Sequence, residues 1–247
     1  MEVEELKQEI RNLPQDKLPK HIGLIPDGNR RWARKHKLAI KMGHITGYET
    51  IKKILFDFFD VGIHYLTIYA LSLENAKKRS KKELEQIYKI LMKAVETVKE
   101  EPKVVEEKVK FNVLGRVELL PSKVKAKVDE LLEFTKDHDQ NFINLLIMYD
   151  GQAEIVDAVK KILCNSADAS CVDTAYIKEH LYTAEYPEVD YVIRTGMEDG
   201  ARLSGFLLWD CSYAEFKFHN TYWPDYSEKM LVDDIKEYVE RNRRKGK

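Results

Sequence analysis

The chain has 247 residues, 44% hydrophobic and 34% charged, which suits one large domain or two small ones. Its 41 Lys and Arg face 42 Asp and Glu, so bulk charge attracts no polyanion and any anion site has to be local. That balance, with no interleaving of aromatic and basic residues, argues against a nucleic-acid binder. No apolar run reaches the roughly 18 residues that span a bilayer, so the expected location is cytoplasmic, with peripheral membrane contact at most. Cys164, Cys171 and Cys211 are odd in number and lack zinc spacing, so they read as free thiols in small buried apolar roles.

In chain order, residues 1–19 open with a charged amphipathic stretch expected to form a surface helix. His21–Ile25 is a short apolar strand ending at Pro26-Asp27-Gly28. A basic helical stretch follows, then a helix near Gly47–Phe59 with Ile51, Ile54, Leu55, Phe58 and Phe59 on one face. Tyr65–Leu71 is the second strand. Lys81–Lys99 places Leu84, Ile87, Leu91, Ala94 and Val98 at helical spacing, an amphipathic helix. Strands are then expected at Val109–Leu114, Phe142–Met148, Val189–Arg194 and Glu215–Phe218. Helices are expected at Ser122–Phe134, Glu154–Leu163 and near Glu228–Arg243. Alternating β and α elements predict a central, mostly parallel sheet flanked by helices. No composition shift divides the chain, so residues 1–247 read as a single α/β domain with a basic C-terminal tail at 241–247.

Ligands of open parallel sheets bind beyond the carboxyl ends of the strands. Asp27, Asn29, Arg30 and Arg31 follow the first strand, and Ser72, Glu74 and Asn75 the second. Asp150 follows the Phe142–Met148 strand, and Arg194 and Arg202 the next. Carboxylates, amides and arginines at several strand ends suit a magnesium–diphosphate site. Gly28 permits a tight turn, and the next helix start with Arg30, Arg31 and Arg34 makes an anion cradle. The same residues also read as a β-turn followed by a solvated basic helix face.

The block His21 to Ala33 (HIGLIPDGNRRWA), with Gly43-His44 beyond it, is similar to the first signature of the cis-prenyltransferases (undecaprenyl/dehydrodolichyl diphosphate synthases). Tyr69–Asn75 resembles their second block, Tyr149–Ile155 their third and Val189–Thr195 their fourth. Arg202–Ser204, Phe206–Trp209, Tyr213–Glu215 and Trp223–Asp225 resemble the fifth, and Arg244-Lys245-Gly246 the short C-terminal motif. The resemblance implies a hydrophobic tunnel beside the sheet and Mg2+-dependent condensation of isopentenyl diphosphate with an allylic prenyl diphosphate. It implies that Asp27 handles magnesium and the allylic diphosphate, with Gly28, Asn29, Arg30, Arg31 and His44 around that diphosphate and Trp32 in the substrate pocket. It further implies that Asn29, Ser72 and Asn75 organise proton removal, and that Arg194, Arg202 and Ser204 grip isopentenyl diphosphate. Glu215 would assist the metal across a dimer, and Arg244 and Gly246 would reach the neighbouring subunit's site. The partner would be a second copy or a different subunit.

Each carried role has a plainer counterpart. Glu215 fits an exposed strand position, His44 a turn between Gly43 and Gly47, Leu84–Val98 an ordinary core face, and Lys77–Lys82 a solvated or membrane-touching loop. The chain also departs from the family pattern. Ile40 stands where arginine is usual, and Ala76 replaces a tryptophan. Lys78 takes an arginine position. Asp150 and Gln152 replace a glycine and an arginine, and Arg116 an acidic residue. Residues 196–201 add about two positions by comparison with the family pattern, and Gly205 replaces an asparagine. These changes raise transfer to an unusual prenyl acceptor or a condensation other than head-to-tail; the alternative is a non-catalytic subunit of a heteromeric synthase, which would usually lose the first-block aspartate that Asp27 keeps here. A magnesium phosphohydrolase would need a second aspartate where Asn29 stands.

Overall fold

The apolar runs become strands in the computed structural model, which describes residues 2–165 and 168–241. These are β1 (His21–Ile25), β2 (Tyr65–Ser72), β3 (Val109–Leu114), β4 (Asn141–Tyr149), β5 (Tyr191–Arg194) and β6 (Glu215–Phe218). They form one sheet in the order β3-β4-β2-β1-β5-β6, and every pairing is parallel. Parallel neighbours need crossovers, and the crossovers here are largely helical. The helices are α1 (Glu2–Arg11), α2 (Asn29–Lys35), α3 (Ile40–Asp60), α4 (Leu73–Lys78), α5 (Lys81–Glu100), α6 (Pro102–Glu106), α7 (Ser122–Phe134), α8 (Gly151–Cys164), α9 (Thr174–Lys178) and α10 (Glu228–Glu240).

One sheet face buries Ile22, Leu24, Leu66, Ile68, Tyr191 and Ile193 against α1, α3 and α10. The other buries Tyr69, Leu146 and Val192 against Phe206, Leu207 and Cys211. A third cluster joins Leu71 and Ile147 to Val124 and Val128 of α7. The chain lays β2, β3 and β4 on one side of β1 and then crosses over to place β5 and β6 on the other, so the strand order reverses beside β1. That switch point is where a crevice opens beyond the strand ends.

α3 begins at Ile40, two turns before the expected start near Gly47. Gly43 and Gly47 lower helix propensity and concealed those turns. Packing compensates: a Cβ on Gly43 would stand 2.0 Å from the Asn29 carbonyl oxygen, so glycine lets α3 press against the start of α2. His44 therefore sits inside a helix, not in a turn. α1 has one buried face, holding Ile10 and Lys7. The Lys7 ammonium donates to Asp57 Oδ1 at 2.7 Å and pairs with Glu228 on α10. Two cysteines depart from the expected burial: Cys164 and Cys171 are exposed and only Cys211 is buried. They fall at the end of α8 and in a short turn, where no core is within reach.

Glu154 on α8 is 1% exposed. It takes the Tyr149 hydroxyl on one oxygen and the Tyr182 N–H on the other, at 2.9 Å. Burial, with Asp210 nearby, pushes its carboxyl up from 4.5 to about 7. The native state therefore holds a proton that the unfolded chain has lost, so stability falls as pH rises between those two values. Glu154→Gln is expected to flatten the decline across pH 4.5–7 in denaturant unfolding. An unchanged slope would place the titrating group elsewhere.

Candidate active site

Asp27 follows β1, and register puts Ile25 beside Arg194, the last residue of β5. Gly28 turns the chain with φ +103°, a left-handed conformation suited to glycine, and caps α2. Asp27 Oδ1 accepts from the Gly28 N–H at 2.6 Å and lies 3.3 Å from Arg31 Nη2. Asp27 Oδ2 accepts from Arg194 Nη2 at 3.0 Å. The Arg194 Nη1 donates to the Arg202 carbonyl at 2.6 Å and to Ser204 Oγ at 3.0 Å. Arg194 is 3% exposed, and its burial pulls the guanidinium pKa down while Asp27 pushes it back up. Ser204 itself holds φ +53°, a strained conformation for a non-glycine residue.

Beside this group, Glu83 Oε1 lies 3.1 Å from His44 Nε2, 3.4 Å from Arg79 Nε and 3.7 Å from Arg30 Nε. Glu83 carries no functional signal in the sequence, since Ser80-x-x-Glu83 at the start of α5 has the form of a capping box. Ser80 does cap, accepting the Glu83 N–H at 3.2 Å, but the carboxylate is spent on the basic cluster. Burial, then the Arg79 charge, lowers the His44 pKa, so its imidazole is neutral near pH 7. Ser72 caps α4 by accepting the Asn75 N–H at 3.0 Å. Tyr69, the first residue of the second family block, donates its hydroxyl to the Tyr149 and Ser204 carbonyls at 3.2 and 3.3 Å.

These residues form the mouth of a cavity of about 680 Å³. Asp27, Gly28, Asn29, Arg30, Arg31, His44, Ser72, Asn75, Arg194, Arg202 and Ser204 all line it. Its inner wall is apolar: Ile51 and Leu55 from α3, Ile87, Ile90, Leu91, Ala94, Val95 and Val98 from α5, and Phe111 and Leu145 from the sheet. From Ile87 to Val98 the apolar stripe of α5 is thus a cavity wall, while Leu84, Tyr88 and Met92 pack against the α7 cluster. On α3 the predicted single face divides, with Ile54, Phe58 and Phe59 in the core and Ile51 and Leu55 on the cavity. From Ile87 to Val98 the wall runs roughly 16 Å at ~1.5 Å per residue.

Two expectations change, those for Trp32 and Asp150. Trp32 does not line the cavity; its indole N–H donates to Asp225 at 2.7 Å and its ring lies against His36. Glu215 does not meet Asp27 within one chain. Parallel register pairs Glu215 with Tyr191, three residues or about 10 Å behind Arg194, and its carboxylate takes Arg241 at 3.2 Å. Asp150 accepts the Gln152 and Ala153 N–H groups as the cap of α8. Arg244 and Gly246 lie outside the described residues.

The family model for undecaprenyl diphosphate synthases matches residues 25–246. The chain belongs to the cis-prenyltransferase family. Over 234 residues it is 38% identical to a tritrans,polycis-undecaprenyl-diphosphate synthase (geranylgeranyl-diphosphate specific) of Pyrococcus horikoshii, covering 93% of this chain and 88% of the relative. It is 39% identical over 238 residues to an isoprenyl transferase of Clostridium tetani, covering 94% and 90%. The crystal structure of lavandulyl diphosphate synthase from Lavandula x intermedia, in complex with dimethylallyl diphosphate, superposes with a TM-score of 0.88 at 30% identity. It covers 94% of this chain and 100% of that one. The protein is accordingly a prenyl-group transferase.

Within this cis-prenyltransferase, several departures from the family pattern have physical partners. Gly205 holds φ +76°, and a Cβ there would stand 2.7 Å from Asp150 Oδ2, so Gly205 makes room for the Asp150 cap. Arg116 makes a two-pronged pair with Asp157, both contacts at 2.9 Å. Lys78 points to solvent and pairs with Glu74, while Arg79, one residue later, reaches the cavity. No helix among the described residues is long and apolar enough to cross a membrane.

Glu83 is the group that holds the His44 pKa up against burial and Arg79. Glu83→Gln is therefore expected to lower the His44 titration midpoint further, read by NMR of the imidazole protons. A rise would contradict this arrangement.

Proposed function

We propose that the protein elongates an allylic prenyl diphosphate with isopentenyl diphosphate, using magnesium, and houses the growing Z-chain between α3 and α5. The observation that carries this reading is the cavity's division into a basic mouth and an apolar barrel. At the mouth, Arg194 Nε is buried with no hydrogen-bond partner among the described residues, and Arg30 Nε and Arg79 Nε have only the long contacts to the Glu83 carboxylate, at 3.7 and 3.4 Å. Buried donors in that state cost free energy until an acceptor arrives, and a diphosphate supplies several acceptor oxygens.

The reaction breaks the allylic C–O bond, and the electron pair leaves with diphosphate. Arg30, Arg31 and Arg79 face the developing negative charge, as preplaced donors that need not reorganise when it appears. Arg194, Arg202 and Ser204 hold isopentenyl diphosphate, whose double bond forms the new C–C bond. The proton it then loses leaves beside Asn29, Ser72 and Asn75 and is accepted by a diphosphate oxygen.

Magnesium favours oxygen ligands and is commonly held by one or two carboxylates with substrate phosphates. Asp27 fits that role, because its two oxygens retain lone pairs beyond the Gly28, Arg31 and Arg194 contacts. The ion would add positive charge against the leaving diphosphate. Among the described residues no three His, Cys, Asp or Glu side chains gather into a metal cluster. Glu215 would supply its carboxylate to Asp27 only across a dimer, since within one chain it is held by Arg241.

A second reading has one observation behind it: the fit to lavandulyl diphosphate synthase, which holds dimethylallyl diphosphate, supports an acceptor other than isopentenyl diphosphate. The purified protein, magnesium and isopentenyl diphosphate, with labelled geranylgeranyl or labelled dimethylallyl diphosphate as primer, distinguish the two. The first reading expects a ladder of longer products, lost by at least about 100-fold in Asp27→Ala, or ~3 kcal/mol of transition-state stabilisation. A single short product would favour the second reading. No product from either primer would favour a non-catalytic subunit.

A further inference from the structure

Glu198 lies in the 196–201 segment, where the chain is longer than its family pattern. The base of the segment is tied down: Gly196 N–H donates to the Thr221 carbonyl at 2.8 Å, and Met197 N–H to the His219 carbonyl at 2.9 Å. Beyond it the loop stands away from the protein, since a Cβ on Gly200 would meet nothing within 4 Å. Glu198 sits where the anchored base gives way to the free tip.

Its carboxylate turns back onto the diphosphate cradle. Arg31 Nη1 lies 3.5 Å from Glu198 Oε2. The Tyr222 hydroxyl reaches both Glu198 oxygens, at 2.8 and 2.9 Å. Tyr222 in turn covers the cradle. The Arg31 guanidinium carbon is 5.4 Å from its ring centroid, and Lys35 is 5.7 Å away. A Cβ on Gly28 would strike the Tyr222 ring at 2.7 Å.

Arg31 therefore serves two carboxylates with different holds. Asp27 is fixed by Arg194 and the Gly28 N–H as well as by Arg31. Glu198 touches Arg31 by one long contact, its side chain is 44% exposed, and its other partner is a surface phenol. Such a pair yields readily to a better anion. A diphosphate oxygen offers Arg31 a shorter, charge-assisted bond, and a Glu198 left in place would repel it.

Resting on the proposed diphosphate site, we infer that Glu198 and Tyr222 form a displaceable anion gate: the Glu198 carboxylate occupies Arg31 in the empty enzyme and sets the affinity for the incoming diphosphate. The gate acts on binding and leaves the bond-breaking step alone. Its removal should strengthen the ground-state grip on diphosphate and change kcat little.

The test is calorimetric titration of the intact protein with inorganic diphosphate, without magnesium, for wild type, Glu198→Gln, Tyr222→Phe and Arg31→Ala. Glu198→Gln is expected to bind about 2–5-fold more tightly, since an exposed pair contributes up to ~1 kcal/mol. Tyr222→Phe should shift the same way by less, and Arg31→Ala should abolish the gain when combined with Glu198→Gln. In turnover, Glu198→Gln should lower KM for the allylic diphosphate with kcat within about twofold. Unchanged or weaker binding by Glu198→Gln, in a protein that does bind diphosphate, overturns the gate and leaves the diphosphate site standing. Failure of every form to bind diphosphate overturns both.

Discussion

The site depends on burying one guanidinium. Arg194 is almost wholly excluded from water, and a charge in that position persists only with partners in good geometry. Its partners come from three places: Asp27 after β1, the Arg202 carbonyl and the Ser204 hydroxyl. Satisfying one buried charge thus fixes the spacing between two adjacent strand ends and the loop that follows one of them. The strained backbone at Ser204 is held by the same contacts. Lysine could match the charge but not the fork that reaches Asp27, Arg202 and Ser204 together.

Around that fixed point the mouth is built by close approach and the barrel by the division of one helix. Gly43 brings α3 onto the start of α2, which sets Asn29 and His44 within the same crevice. Glu83 then draws Arg30, Arg79 and His44 around a single oxygen. Deeper in, α5 divides its apolar residues, with Leu84, Tyr88 and Met92 packed on the α7 cluster and Ile87, Ile90 and Ala94 facing the open volume. An anion-loving mouth above an apolar barrel is the shape of a lipid diphosphate.

Much of this was legible in the sequence, and the exceptions have physical reasons. Strand and helix periods marked β1, β3, β6 and α7 to the residue, because apolar patterning and turn signals agree there. The two turns of α3 before Gly47 were hidden, since glycines that enable helix contact look like helix breakers in isolation. Whether α5 was core or cavity wall could not be read, because either use needs the same apolar stripe. Glu83 and Arg79 were masked by a capping pattern and a basic run that also fit a solvated surface. Trp32 was carried to the pocket by its place in a motif, yet its indole is held by Asp225. The compensations between Asp150 and Gly205, and between Arg116 and Asp157, join residues 55 and 41 positions apart, so only the folded chain pairs them.

The most direct test of the account is a crystal structure with magnesium and a thiolo analogue of an allylic prenyl diphosphate, in which the scissile C–O bond is replaced by a slow-reacting C–S bond. The account predicts the diphosphate at the Asp27, Arg31 and His44 mouth and the hydrocarbon tail along Ile87–Val98 of α5. A tail lying in solvent, or a diphosphate bound away from Asp27 with the α3–α5 space filled by repacked side chains, would contradict it.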